Sequence, residues 1–190
     1  MSWFKSTAYV LTGLALWGCG FEPLYGKRNA RDVIAEFAYV QVAPIDDRVG
    51  QQLRNELLQR LYAGGRAPAV KYRLTATLTE STSSLAVKKS SLATRANLKM
   101  TASYSLAWVG PLHERPARSP LLKKADGDPQ LTDLDEGALL TRSDAVTVSY
   151  NILDSEFATL MAERDARERA VRSLSEDIRI QLAVYFDRQQ

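Results

Sequence analysis

Ten residues from Val70 to Thr79 alternate without a break. Val70, Tyr72, Leu74, Ala76 and Leu78 share one parity, and Lys71, Arg73, Thr75, Thr77 and Thr79 share the other. The segment Asn97 to Trp108 repeats the pattern, with Leu98, Met100, Ala102, Tyr104, Leu106 and Trp108 opposed by Asn97, Lys99, Thr101, Ser103, Ser105 and Ala107. Successive side chains of a strand point to opposite faces, so both segments read as strands of a sheet buried on one face only. The connection from Glu80 to Ser91 is Ser-rich, carries Lys88-Lys89, and reads as a hairpin tip. A sheet of this kind needs a cover for its apolar face, and the rest of the chain must supply it.

Two segments have the spacing to do so. Val49, Leu53, Leu57, Leu58 and Leu61 predict an amphipathic helix over 47–63. Asp46 and Asp47 offer its N-cap, Glu56 and Arg60 an i,i+4 pair, and Gly64-Gly65 with Pro68 its stop. Phe157, Leu160, Met161, Val171, Leu174, Ile178, Leu182 and Tyr185, bridged by Ala166 and Ala170, predict a long helix over 154–186. Glu163–Arg167 and Glu168–Arg172 would support it. Phe37 to Val42, stopped by Pro44, reads as a short strand, and Val146, Val148, Tyr150 and Ile152 mark a fourth. Residues 110–137 hold four prolines and read as a long loop. The expected fold is an α+β two-layer sandwich: a four-stranded, mostly antiparallel sheet with two helices on one face, in the order β-α-β-β-β-α, forming one domain over 37–188.

The N-terminus speaks to address rather than fold. Lys5 is the only charge before an apolar run of about ten residues, Ala8 to Trp17. A bilayer span needs roughly 20 residues, so the run has the size of a signal-peptide core. It ends in Leu16-Trp17-Gly18-Cys19, which resembles a bacterial lipobox, with Trp17 where a small residue is usual. A lone cysteine also suits a buried thiol, but position, charge order and apolar length together favour lipidation at Cys19. Residues 1–18 are then a lipoprotein signal peptide, and 19–36, interrupted by Pro23, Gly26 and basic residues, a lipidated tether. An N-acyl diacylglyceryl Cys19 would carry enough acyl chains to stay on a membrane. Cys19 is the only cysteine, so the domain has no disulfide framework.

The residues for common chemistries are missing from the sequence. His113 is the only histidine, in the Pro-rich loop beside Glu114, which is too little for a Ser-His-Asp triad or a usual zinc site. No Gly-rich phosphate loop opens a helix. Asp126, Asp128, Asp133 and Asp135 lie in the long loop and read as solvated. A non-enzyme without cofactor or metal is therefore expected. The net charge of +3 is a small surplus over many acids and does not point to nucleic acid. The polar parity of the strands, rich in Thr and Ser, is either an ordinary solvated face or a face that lies against a polar, hydrated partner. Lys88, Lys89 and Arg95 near the hairpin tip, and Arg115, Arg118, Lys123 and Lys124 in the loop, are solvated cations or phosphate contacts.

Cys19-Gly20-Phe21-Glu22-Pro23-Leu24-Tyr25-Gly26 resembles the mature N-terminus of the LPS-assembly lipoprotein family (LptE), in its alphaproteobacterial form. The element order also resembles that family's fold. The resemblance implies an outer-membrane lipoprotein on the periplasmic face. It would plug and help assemble an LptD-type β-barrel translocon and help deliver lipopolysaccharide to the cell surface. Gly20, not being aspartate, is compatible with outer-membrane sorting. The barrel lumen would be the hydrated partner of the hydroxyl face, and Lys88, Lys89 and Arg95 become candidate lipopolysaccharide contacts. The alternative is an accessory lipid-binding lipoprotein of another envelope transport complex.

Overall fold

The two alternating segments are the long middle strands of a four-stranded sheet. A computed structural model describes residues 29–87, 93–116 and 138–189. The elements are α1 (Asn29–Phe37), β1 (Val40–Val42), α2 (Arg48–Leu61), β2 (Tyr72–Val87), β3 (Ala93–Trp108), a 3₁₀ turn at Leu112–Glu114, β4 (Ala138–Tyr150) and α3 (Glu156–Asp187). The sheet order is β1-β2-β3-β4. β1 and β2 are parallel, Val40 opposite Tyr72, because the intervening α2 carries the chain back. β2–β3 and β3–β4 are antiparallel, with a bulge at Leu106/Ala107 opposite β4. The expected α+β order stands, with one helix added ahead of it.

The parity rule holds through the sheet. Leu74, Leu98, Met100, Tyr104 and Leu106 are fully buried, against Leu53, Leu57 and Leu61 of α2 and Leu174, Ile178 and Leu182 of α3. A fully buried side chain of this size contributes about 1.5–3 kcal/mol, so this layer dominates the stability. Phe37, Tyr72 and Phe186 close one end of the core. The Phe186 ring centroid lies 5.9 Å from that of Phe37 and 5.0 Å from that of Tyr72, both edge-on. The Tyr62 hydroxyl donates to the Val40 carbonyl at 2.6 Å and fixes the end of α2 beside β1.

Four expectations need correction. Residues 29–36, read as the end of the tether, are helical, and Phe37 ends that helix rather than starting a strand. Val33 and Phe37, four apart, enter the core together, which is enough to hold a short helix whose sequence lacks a longer stripe. β2 runs on to Val87, β3 starts at Ala93, and β4 starts at Ala138, well before the apolar alternation that marked them. Backbone pairing extended these strands through stretches such as Ser81–Ser84, where side chains gave no signal. Asp47 stands at the N-cap of α2 but at φ 65°, ψ 162°, with no side-chain cap hydrogen bond. Finally, Phe157, Leu160 and Met161 are exposed, not core. The first buried residue of α3 is Ala166, and Ala162 before it packs against the core from the side, so Glu156–Met161 overhangs the core by about 9 Å.

Of the long loop, Pro111–Pro116 is described. His113 is well exposed, and its Nε2 lies 3.5 Å from Glu114 Oε1. Asp126, Asp128, Asp133 and Asp135 lie outside the described residues, as do Arg118, Lys123 and Lys124.

Candidate functional site

The sheet face away from the helices carries the polar parity. Thr75, Thr77 and Thr79 of β2 lie beside Ser105, Ser103 and Thr101 of β3, and these lie beside Thr141, Ser143 and Ala145 of β4. The hydroxyls bond to one another and to backbone. Ser103 Oγ and Ser143 Oγ are 3.2 Å apart, Thr77 Oγ1 donates to the Ser103 carbonyl at 3.4 Å, and Ser149 Oγ donates to Asn97 Oδ1 at 2.7 Å. Ser103 and Ser105 are themselves buried. Thr77, Thr79, Ala145, Thr147 and Ser149 are exposed. The result is a broad surface of donors and acceptors, with Arg73 and Lys99 its only charges between residues 73 and 83, 97 and 107, and 141 and 149. Such a surface can exchange hydrogen bonds with water or with a hydrated partner without burying a charge.

On the helical side, a cleft of about 630 Å³ opens where α3 overhangs the core. Val49, Gly50, Leu78, Leu160 and Met161 give it an apolar lining, and Asp47, Arg48, Glu80, Arg164 and Arg167 border it. Its floor includes Glu80, which falls on the apolar parity of β2 after the last buried residue before it on that strand, Ala76. Arg167 neutralises it: Nε lies 2.9 Å from Oε1 and 3.0 Å from Oε2, and Nη2 donates to Glu163. The Glu80 bond is also the main reason the Arg167 guanidinium is held above its usual pKa. Gly50 is needed at the cleft wall, since a Cβ there would sit 2.6 Å from Ile45 Cγ2. Asp47, at the mouth, has a backbone conformation that favours glycine.

A second polar group ties α2 to α3. Arg60 donates through Nε to Ser175 Oγ at 2.7 Å and through Nη1 to Glu176 Oε2 at 3.1 Å, and keeps the expected pair with Glu56 at 3.4 Å. The Arg179 hydrogen bond, more than Arg60, holds the Glu176 carboxyl below its usual pKa despite partial burial. The expected Glu163–Arg167 pair forms, whereas Glu168 pairs with Arg164 rather than Arg172. Under β4, the Tyr104 hydroxyl donates to Asp144 Oδ2 at 2.7 Å. Burial, then Asp144, pushes that phenol well above its usual value. Burial and the same Asp144 raise Asp177 on α3.

Of the site residues read from sequence, Arg95 is exposed on β3 opposite Leu85, one residue past the end of the β3–β4 ladder toward the hairpin tip it was assigned to. Lys88, Lys89 and Cys19 lie outside the described residues. The cleft was missed because Phe157, Leu160 and Met161 have helical spacing and read as core. The one available signal was the weak middle of that stripe, where Ala166 separates a solvent-facing part from a buried one. Among the described residues no His, Cys, Asp and Glu group has metal-holding geometry, and no helix is long and apolar enough to cross a membrane.

No family model and no curated protein matches the chain. Solved structures do share its fold. A protein from Caulobacter crescentus CB15, named as a lipoprotein of inferred status, matches with a TM-score of 0.54 at 20% identity, over 82% of this chain and 96% of its own. A minor lipoprotein from Acinetobacter baumannii matches with a TM-score of 0.51 at 14% identity, over 77% of this chain and 92% of its own. At these identities the likeness is one of fold.

Proposed function

We propose that this chain is a lipid-anchored envelope protein that works by contact rather than catalysis. Its role would be to plug and help assemble an outer-membrane β-barrel of the LptD kind and to assist passage of lipopolysaccharide. The observation that carries the reading is the hydroxylated sheet face, broad and nearly free of charge, which suits the polar, hydrated lumen of a barrel. The lipobox-like run ending at Cys19 and the family-like segment Cys19–Gly26 support the anchor and the location at the periplasmic face of the outer membrane. The α+β fold, shared with two proteins named as lipoproteins, supports the same class. Lys88, Lys89 and Arg95 would meet lipopolysaccharide phosphates near the hairpin tip. No cofactor has a part in this role.

The test is purification of the full chain from detergent-solubilised outer membrane. A large β-barrel protein should accompany it, and Thr77→Lys with Thr79→Lys, placed on the exposed part of the hydroxyl face, should release it while the fold is kept. A chain that emerges alone overturns the plug role. A transporter subunit in place of the barrel would favour the accessory role in another envelope complex. Normal lipopolysaccharide binding by a Lys88/Lys89/Arg95→Ala variant would remove that site and leave the plug intact.

A further inference from the structure

The sheet has two very different edges. β1 is three residues long, whereas β4 presents thirteen, and among the described residues no strand pairs with its outer side. Natural edges are usually blocked by Lys, Pro, inward charges or extreme shortness. Ala138–Tyr150 contains no Lys, Pro or Gly, and its only charges are Arg142 and Asp144. Arg169 of α3 reaches the Ser149 carbonyl at 3.5 Å, which touches one end of the strand only.

Those two charges are incompletely used. Arg142 Nε is shielded from solvent and has no hydrogen-bond partner. Asp144 accepts from the Tyr104 hydroxyl through Oδ2, and a carboxylate has a second oxygen that can accept as well. Arg142 and Asp144 lie opposite Tyr104 and Ala102, so both share the parity that faces the helices.

From these observations we infer that β4 is a self-pairing edge: it joins β4 of a second copy, antiparallel, about a two-fold axis at Ser143. In that register Arg142 lies opposite Asp144 of the other copy, and the reverse. Leu140 faces Val146 and Thr141 faces Ala145, so apolar meets apolar on the helical side and small neutral groups meet on the hydroxyl side. Directly opposed side chains of an antiparallel pair share a face with Cβ atoms about 4.5–5.5 Å apart, close enough for the unused Arg142 donor to gain a carboxylate. Centring the pair on Arg142 or on Asp144 instead would set like charges against each other. The two four-stranded sheets become one of eight strands with all helices on the same side. The inference is independent of the plug role, and a strand of another protein would compete for the same edge.

The register makes the test specific. In the full chain, purified in detergent, Ser143→Cys should form a disulfide-linked dimer under mild oxidation. Ser149→Cys should not, since it would lie far from its own copy along the pair. Thr141→Cys and Ala145→Cys should cross-link when mixed and much less when each is alone. Wild type, with Cys19 only, is the blank. Arg142→Asp, which sets Asp against Asp144, should weaken dimerisation of the reduced protein at least tenfold in sedimentation equilibrium while circular dichroism shows a retained fold. The inference is overturned if the wild type is a monomer at every concentration. It is also overturned if Ser143→Cys fails to cross-link, if Ser149→Cys cross-links equally, or if folded Arg142→Asp dimerises as before.

Discussion

Arg167 grips both carboxylate oxygens of Glu80 from 87 positions away, at 2.9 and 3.0 Å. The pair borders the cleft where α3 changes character: Ala166 and Ala170 are buried, and Leu160 and Met161 are open. Glu80→Gln keeps the shape but halves the charge pairing. Because both side chains are partly exposed, the loss should be about 0.5–1 kcal/mol, and it should shrink in high salt. Urea denaturation at two ionic strengths measures it. A salt-independent loss would mean that packing, not charge, is at stake.

Gly50→Ala tests the wall of α2. Helix propensity alone predicts a gain of up to about 1 kcal/mol. The added Cβ, 2.6 Å from Ile45 Cγ2, forces Ile45 or the helix to move. We expect a net destabilisation of about 1–3 kcal/mol, the range for overpacked sites. A more stable variant would show that Ile45 yields freely.

Asp177 gives a pH dependence with a definite sign. Burial, then Asp144 and Glu176, raises its carboxyl above the ordinary 3.8. The folded state therefore holds this proton more tightly than the unfolded one. The benefit is full below the unfolded value and is lost as pH rises through the folded value. At pH 7 the carboxylate is a cost, so Asp177→Asn should unfold at a higher urea concentration than wild type at pH 7, with the advantage fading below pH 4. An equal midpoint at pH 7 would rule this out.

Tyr185 titrates on the alkaline side. Burial pushes its phenol up to about 12, and the phenols of Tyr72 and Tyr104 rise further for the same first reason. Each raised value contributes stability below pH 10 that is lost as pH climbs through the folded value. Stability should thus fall steeply from pH 10 upward, and Tyr185→Phe should flatten the start of that fall. Denaturation midpoints from pH 9 to 12 would show it, and parallel curves for the two proteins would count against it.

Phe157→Ser with Leu160→Ser removes exposed apolar surface from the α3 overhang, where the two residues are 72% and 58% exposed. Folding stability should change by less than about 0.5 kcal/mol. Fluorescence of an apolar dye bound to the cleft should drop. A large loss of stability would place these residues in the core after all.

The middle of the fold was legible because side chains alone decide it. From Tyr72 to Leu78 and from Leu98 to Trp108, a period of two admits one structure only. Gly64-Gly65 likewise stopped α2 near where it ends. What could not be read is what backbone pairing or position decides. Ser81–Ser84 has no apolar parity, yet it pairs with Ala96–Lys99 because the hairpin is already zipped beneath it. Of the α1 side chains between Asp32 and Phe37, Val33 and Phe37 are the buried ones, too few to stand out from a tether. Phe157, Leu160 and Met161 obey the helical period as well as Leu174 and Ile178 do. Only the length of the sheet beneath α3 tells the two groups apart, and local spacing carries no information about it. The hydroxyl face was legible as a pattern, while the unused Nε of Arg142 needed coordinates.

Phe37 and Phe186, at opposite ends of the described domain, meet in one aromatic cluster with Tyr72. Chain ends are ordinarily the first places to fray. Here the start and the finish of the domain latch onto each other, so a pull on either one is shared with the other and with Tyr72 before it can peel a terminus away. Amide protons near Phe37 and Phe186 should accordingly open with the whole domain and not ahead of it.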